Sequence, residues 1–183
     1  MCDYGVMMKT TNAGVNWTTF SIGYQSTLYP GAGIYTNLLS AWFFNVNSFL
    51  LGCQSVRGIV RSTDGGITYD TVQVLPTGSG SIYDFHFINA QTGYFCGTST
   101  FKLQKTTNAG LNWVQVPNLG TSTLYSVYAS DTNNIIVTST SGNTYFTTNA
   151  GVNWTTSNVG TTNTLYDSKW INAEIVEKPS ARL

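Results

Sequence analysis

Short apolar or alternating segments, separated by polar turns, run along the whole chain, and residues Thr123–Val159 show the pattern most clearly. Within this unit the segment TLYSVYAS alternates in the manner of a strand. Three further strand-like segments follow, IIVTSTS, TYFTTN and VNWTTSNV, and the turn sequences before them are DTNN, GN and AG in that order. Alternation with a period of two residues is typical of a half-buried strand, and Asn, Asp and Gly favour tight turns. Because no segment shows a convincing helical period, the pattern predicts four short antiparallel strands per unit and an all-β fold.

One nine-residue phrase recurs along the chain, which indicates an internal repeat. It reads KTTNAGVNW at Lys9–Trp17, KTTNAGLNW at Lys105–Trp113 and FTTNAGVNW at Phe146–Trp154, with a weaker copy, RSTDGGITY, at Arg61–Tyr69. The spacings between the aligned Asn or Asp residues are 52, 44 and 41 residues. Repeats of this length are typical of propellers and solenoids, and a meander of four strands per repeat is a propeller blade.

The repeats predict a single β-propeller domain of four four-stranded blades over residues 1–172. Three blades cover about 38–75, 82–117 and 124–159, and the fourth is spliced from residues 165–172 and 1–20. Such splicing closes the ring and removes exposed strand edges. The alternative is half of a larger ring that a homo-oligomer completes. Residues 173–183 are richer in charge and are interpreted as a non-repeat tail.

We call the phrase the box and interpret it as a structural turn between the third and fourth strands. Its Asn or Asp accepts hydrogen bonds from backbone N–H groups two or three residues on, its Gly permits a positive φ, and its aromatic residue packs on the neighbouring blade. The Thr residues before the Asn are expected at an exposed strand end. The predicted box residues are Asn12, Gly14, Trp17, Asp64, Gly66, Tyr69, Asn108, Gly110, Trp113, Asn149, Gly151 and Trp154.

The pattern Ser/Thr-x-Asp/Asn-x-Gly-x-x-Trp resembles the Asp-box, or BNR repeat, of sialidases, sortilin-like receptors and photosystem II assembly factor-like propellers. The segment SIYDFHFINAQTGYFCG followed by KTTNAGLNW looks like a blade of the last group, especially of large secreted bacterial repeat proteins. The resemblance implies a propeller and an extracellular or cell-surface location, although the chain shows no signal peptide. Boxes of this family lie on the blade periphery, so the resemblance says little about a binding site.

Composition excludes some classes of function. Only 9% of residues are charged and the formal net charge is zero, so nothing indicates binding to nucleic acid or to an anionic membrane. No apolar run is long enough to insert in a membrane. Three cysteines and one histidine, without a C-x-x-C motif, predict neither a closed disulfide framework nor a metal site, and no cofactor is expected.

The first strand of each blade should line the propeller axis, where side chains of one parity converge. Stacking the repeats places Ala41, Asp84, Ser126 and Asp167 in one column and Phe43, His86, Tyr128 and Lys169 in the next. Tyrosines lie above them at one mouth. A sugar or a peptide suits such a pocket, since tyrosine rings stack on sugars and carboxylates accept hydroxyl hydrogen bonds; the structural alternative is that these side chains only satisfy one another. The candidate ligand-binding residues are Tyr83, Asp84, His86, Tyr125, Tyr128, Tyr166, Asp167 and Lys169.

Catalysis finds little support in the sequence. Sialidases with this box use three arginines and a Tyr/Glu pair, whereas this chain has Arg57, Arg61 and Arg182, and its only glutamates, Glu174 and Glu177, lie in the tail. The low charge and the small blade number also argue against photosystem assembly. The sequence therefore predicts a non-enzymatic binding or scaffolding module whose partner is a protein or a glycan. The alternatives are a lectin-like module and a glycoside hydrolase remnant with two axial carboxylates.

Overall fold

The computed structural model describes residues 5–21, 37–54, 58–74, 80–171 and 174–178, and each element assigned in these ranges is a β-strand. In chain order the strands are β1 (Val6–Lys9), β2 (Thr18–Ser21), β3 (Leu38–Phe43), β4 (Phe49–Cys53), β5 (Gly58–Ser62), β6 (Asp70–Gln73), β7 (Ile82–Phe87), β8 (Gly93–Gly97), β9 (Leu103–Thr106), β10 (Val114–Gln115), β11 (Leu124–Ala129), β12 (Ile135–Ser139), β13 (Asn143–Thr147), β14 (Thr155–Asn158), β15 (Asp167–Ile171) and β16 (Glu174–Lys178).

These strands form three four-stranded antiparallel meanders and two hairpins. The meanders are β3–β6, β7–β10 and β11–β14, and the hairpins are β1–β2 and β15–β16. The first strands β3, β7, β11 and β15 are neighbours in that order. This succession of four-stranded blades around a common inner edge confirms the predicted all-β propeller fold.

The core lies between adjacent blades. One cluster joins Leu50 and Ile59 of the first meander to Phe85 and Phe95 of the second, and another joins Tyr94 to Val137 of the third. All five residues of β4, β8 and β12 are buried, because each blade is covered on both faces. Their sequences FLLGC, GYFCG and IIVTS are accordingly continuous small or apolar runs, whereas the first strands alternate.

The two hairpins lie at the ends of this arc. Met7 of β1 packs against the core cluster of the β3–β6 blade, and the carbonyl of Leu165, just before β15, accepts a hydrogen bond from Thr138 Oγ1 at 2.9 Å. The prediction paired the first strand at 165–172 with strands from residues 1–20. Instead β15 pairs with β16, in register from Asp167–Lys178 to Ile171–Glu174. The segment interpreted as a tail thus supplies the strand β16, whose sequence EIVEK contains two adjacent apolar residues.

Ring closure, whether within one chain or between copies, therefore stays a prediction. Residues 1–4, which include Cys2, lie outside the described part of the chain. Among the described residues, no helix has both the length and the apolar character needed to cross a membrane.

Candidate functional site

Equivalent residues lie side by side on the innermost strands β3, β7 and β11. The registers between the first and second strands show which residues are equivalent. The first strand of each complete blade shifts its register at the same point, so Ser40, Asp84 and Ser126 oppose Gly52, Cys96 and Thr138 of the second strands. The predicted column placed Ala41 beside Asp84 and Phe43 beside His86. That alignment is wrong by one residue in the first blade, where the pairing with the second strand makes Ser40 and Trp42 the equivalents.

Three tyrosine rings form a continuous row of contacts along the inner strands; we call Tyr83, Tyr125 and Tyr166 the tyrosine ladder. The rings of Tyr83 and Tyr125 are stacked with centroids 4.8 Å apart and planes 25° apart. Tyr125 meets Tyr166 edge to face at 5.2 Å and 73°. Burial raises the pKa of Tyr125, and Tyr83 and Tyr166 raise it further. Tyr166, at the end of the ladder, is 42% exposed.

Asp84 lies next to the ladder and turns its carboxylate towards the following blade. Oδ2 accepts hydrogen bonds from the backbone N–H of Val127 at 2.9 Å and from Ser126 Oγ at 3.1 Å. Ser126 Oγ in turn accepts the backbone N–H of Ser168 at 3.2 Å. Burial raises the pKa of Asp84 to about 6, against the lowering effect of these hydrogen bonds. A polar chain thus links the inner strands β7, β11 and β15.

His86 lies in a row of rings with Trp42 and Tyr128. Its ring centroid is 5.9 Å from that of Trp42 and 4.4 Å from that of Tyr128. Nε2 donates a hydrogen bond to the carbonyl of Ala129 at 2.9 Å, which fixes the tautomer. Burial lowers the pKa of His86, and Lys169 lowers it further. A neutral imidazole bonded to a backbone carbonyl is suited to joining two blades.

The structure thus brings most of the candidate residues together, in two layers. The tyrosine ladder contributes Tyr83, Tyr125 and Tyr166, and the layer beside it contributes Asp84, His86 and Tyr128. Asp167 and Lys169 are on β15 and exposed. Both act on the inner layer through charge, Asp167 raising the pKa of Asp84 and Lys169 lowering that of His86.

The boxes form the same turn four times, and the hydroxyl residue two positions before the Asn or Asp is its centre. In the third copy Thr106 Oγ1 accepts the N–H of Gly110 at 3.0 Å and donates to Asn108 Oδ1 at 2.9 Å. The equivalent hydroxyls are those of Thr10, Ser62 and Thr147. Sequence reasoning missed this role: Thr106 is 1% exposed instead of lying at an exposed strand end.

The Asn side chain reaches further along the chain than predicted. Asn108 Oδ1 accepts the N–H of Asn112, four residues on, at 2.9 Å, and Asn12 and Asn149 do the same. Asp64 accepts from Ile67 and Thr68. The hydrogen bonds from Thr68 lower the pKa of Asp64 to about 2. Two consecutive residues have positive φ: Ala109 at 56° and Gly110 at 81° in the third box.

The box glycines and aromatics pack on the preceding blade. A Cβ on Gly110 would lie 2.7 Å from Leu50 Cδ1, and one on Gly151 would lie 2.4 Å from Val116 Cγ1. The Trp113 ring packs against the core cluster that includes Leu50 and Ile59 of the preceding blade, and Trp154 Nε1 donates to the carbonyl of Pro117, just after β10, at 3.1 Å. Trp17 of the first box is 55% exposed. The box is therefore an interblade contact as well as a turn.

Solved structures show the same fold at low sequence identity. A YCF48 bound to D1 peptide aligns over 73% of this chain and 44% of its own, with a TM-score of 0.57 and 19% identity. YCF48 from Cyanidioschyzon merolae aligns over 68% of this chain and 41% of its own, with a TM-score of 0.54 and 18% identity. A GH74 enzyme from Niastella koreensis aligns over 82% of this chain and 25% of its own, with a TM-score of 0.59 and 19% identity. The chain therefore spans less than half the length of these structures. No curated protein matches it.

The sequence profile of the family described as photosynthesis system II assembly factor YCF48 matches residues 34–173. This match overturns two expectations from the sequence. The extracellular or cell-surface location is wrong, because it rested on secreted repeat proteins and not on this family. The argument against photosystem assembly from low charge and few blades does not hold either, since a chain with both properties fits the profile. With most of its length covered, the chain belongs to the photosynthesis system II assembly factor YCF48 family.

Proposed function

We propose that this propeller is a non-enzymatic binding module that holds an extended protein segment against the tyrosine ladder. The observation that carries the proposal is the continuous row of ring contacts from Tyr83 through Tyr125 to Tyr166, which ends in a ring that is 42% exposed. Membership of a family named for an assembly factor supports it, as does a YCF48 structure in complex with a D1 peptide.

The chemistry of the ladder favours a peptide. Stacked tyrosines give a large, rigid contact area that costs little side-chain entropy, and their hydroxyls donate and accept hydrogen bonds. The strand β11, which carries Tyr125, is joined to the preceding blade, since Ser126 and Val127 donate hydrogen bonds to Asp84. A rigid aromatic surface on the inner strands can therefore receive a segment without rearranging.

A titration of the intact chain with a synthetic D1 peptide, followed by tyrosine fluorescence or amide shifts, tests the proposal. Tyr166→Ala should weaken binding about tenfold or more, as loss of an aromatic anchor does. Val152→Ala removes a side chain that is 61% exposed, far from the ladder in a box, and should leave binding unchanged. Equal affinities for wild type and Tyr166→Ala would contradict the proposed site.

A glycoside hydrolase is the second candidate, because Asp84 has the raised pKa that a general acid needs. Its carboxylate, however, is engaged with Ser126 and Val127 between two blades, which suits a structural contact better than proton donation to a sugar. Wild-type protein incubated with aryl glycosides should release phenol no faster than the Asp84→Asn variant does. A release that Asp84→Asn abolishes would favour the hydrolase, and binding of cellohexaose to the ladder without turnover would favour a lectin.

A further inference from the structure

The outer edge of the second blade differs from the other edges at one cross-strand pair. In the three complete blades, the residue one position before the box hydroxyl faces the start of the fourth strand: Arg61 opposite Asp70, Lys105 opposite Val114 and Phe146 opposite Thr155. Only the second of these pairs combines a cation with an apolar partner. Val114 is 72% exposed, so its side chain can contact a partner.

A groove of about 220 Å³ adjoins this pair, between the second and third blades. Val114, Val116 and Pro117 give it an apolar wall, and Ala150 of the next box closes the other side. Lys105 is the charged residue among those lining it, and its Nζ lies 5.8 Å from the ring centroid of Tyr94. The groove thus offers an apolar wall with a positive charge at its edge.

The backbone beside the groove is directed outward at one residue. The N–H of Val116 bonds to the carbonyl of Leu103 at 2.9 Å, and Val114 pairs with Lys105. Antiparallel residues alternate between bonding their partner and facing away from it, so the N–H and C=O of Gln115 point out of the blade. An outward donor and acceptor next to an apolar groove are what an added strand requires.

We propose that the β10 edge is a second binding site, for an extended acidic peptide segment of a partner protein. The segment adds as a strand at Gln115, places an apolar side chain against Val114 and Pro117, and directs a carboxylate to Lys105. Charge complementarity selects the occupant, because Lys105 faces no acidic residue across the strand pair whereas Arg61 faces Asp70. This site is separate from the tyrosine ladder, and its test does not depend on the proposed function.

The experiment uses the intact ¹⁵N-labelled chain and the synthetic peptide Ac-Thr-Val-Glu-Val-Thr-NH₂, with Ac-Thr-Val-Gln-Val-Thr-NH₂ as its neutral match. We expect saturable amide shifts at Val114, Gln115 and Lys105, a dissociation constant in roughly the millimolar range, and about fivefold weaker binding of the neutral peptide. Lys105→Gln should abolish the difference between the peptides. Equal binding of both peptides to the wild type would overturn the role of Lys105.

Gln115→Pro isolates the added-strand contact, since it removes an N–H that points away from the blade and spares the bonds to β9. It should weaken the acidic peptide about fivefold or more. Thr156→Pro makes the same change on β14, where the neighbouring pair is Phe146 and Thr155, and should have no effect. If Gln115→Pro disturbs the fold, Val114→Thr serves instead and should also weaken binding. Shifts confined to the tyrosine ladder, or shifts at Gln115 that depend on protein concentration without peptide, would overturn the proposal.

Discussion

The carboxylate of Asp84 accepts the backbone N–H of Val127 at 2.9 Å, across the boundary between two blades. A side chain of one inner strand thereby fixes the main chain of the next, and Ser126 extends the link to Ser168 at 3.2 Å. The same strands carry the tyrosine ladder. The stability of the axis and the shape of the proposed binding surface therefore depend on one titratable group.

Stability should fall as the pH rises through the pKa of Asp84. The folded pKa, about 6, lies above the ordinary 3.8, so the folded state binds the proton more tightly than the unfolded state does. The protonated group's contribution is complete below pH about 4 and is lost between about pH 4 and pH 6, by up to about 3 kcal/mol. Asp84→Asn should be more stable than wild type at pH 7.5 and should lack this dependence in urea unfolding.

Asp64 provides the control, because its pKa is shifted in the opposite direction and Asp64→Asn should therefore change the pH dependence of stability in the opposite direction. Its folded pKa of about 2 lies below the ordinary value, so Asp64 contributes stability above pH about 4 that is lost as the pH falls through 2. An Asp84→Asn chain that follows the wild-type pH profile would show that Asp84 is not the group responsible.

Trp113→Ala should destabilise the fold by about 3 kcal/mol or more, because its ring packs on Phe85, Phe87 and Phe95. Trp17→Ala removes the tryptophan at the same position of the first box, where the ring is 55% exposed, and should destabilise the fold by less than about 1 kcal/mol. Chemical denaturation measures both. Equal losses in the two variants would mean that the packing of Trp113 on these three rings adds nothing to the hydrogen bond within its own turn that it shares with Trp17.

The box hydroxyl should matter more than the box amide. Thr106→Val keeps the shape but leaves the N–H of buried Gly110 without its acceptor, at a cost of about 2–3 kcal/mol. Asn108→Ala should cost about 1 kcal/mol, since its oxygen bonds the exposed Asn112. Thr107→Val, at the exposed neighbouring position, should be neutral. The reverse order in thermal unfolding would refute the central role of the hydroxyl.

Glycine and alanine should not be interchangeable within the box turn. Ala109 has φ of 56°, and the second box carries Gly65 at that position, so Ala109→Gly should stabilise by up to about 1 kcal/mol. Gly110→Ala should destabilise by on the order of 2–3 kcal/mol, because its Cβ would lie 2.7 Å from Leu50 Cδ1 at a φ of 81°. A neutral Gly110→Ala in calorimetric melting would argue against close packing of the box on the preceding blade.

The sequence by itself determined the architecture. Period-two alternation and a box every 41 to 52 residues predicted four-stranded antiparallel units, and the structure builds its three complete blades in that way. Both signals are local, since alternation follows from the pleat and the box from Gly and Asn conformations. The sequence also predicted that Tyr83, Tyr125 and Tyr166 lie in one row, because equivalent repeats place equivalent residues on neighbouring inner strands.

Tertiary structure decided which contacts each of the candidate axial residues makes. Pairing with the second strand makes Ser40, and not Ala41, the equivalent of Asp84, and the carboxylate of Asp84 bonds the N–H of Val127 on the next blade. The box turn packs on the preceding blade and buries Thr106, which its polar neighbours had placed at the surface. These outcomes depend on contacts between residues far apart in the chain, whose energies local patterns do not encode. The pairing of β15 with β16 is a local hairpin, and the charged composition of β16 had placed that segment outside the repeat.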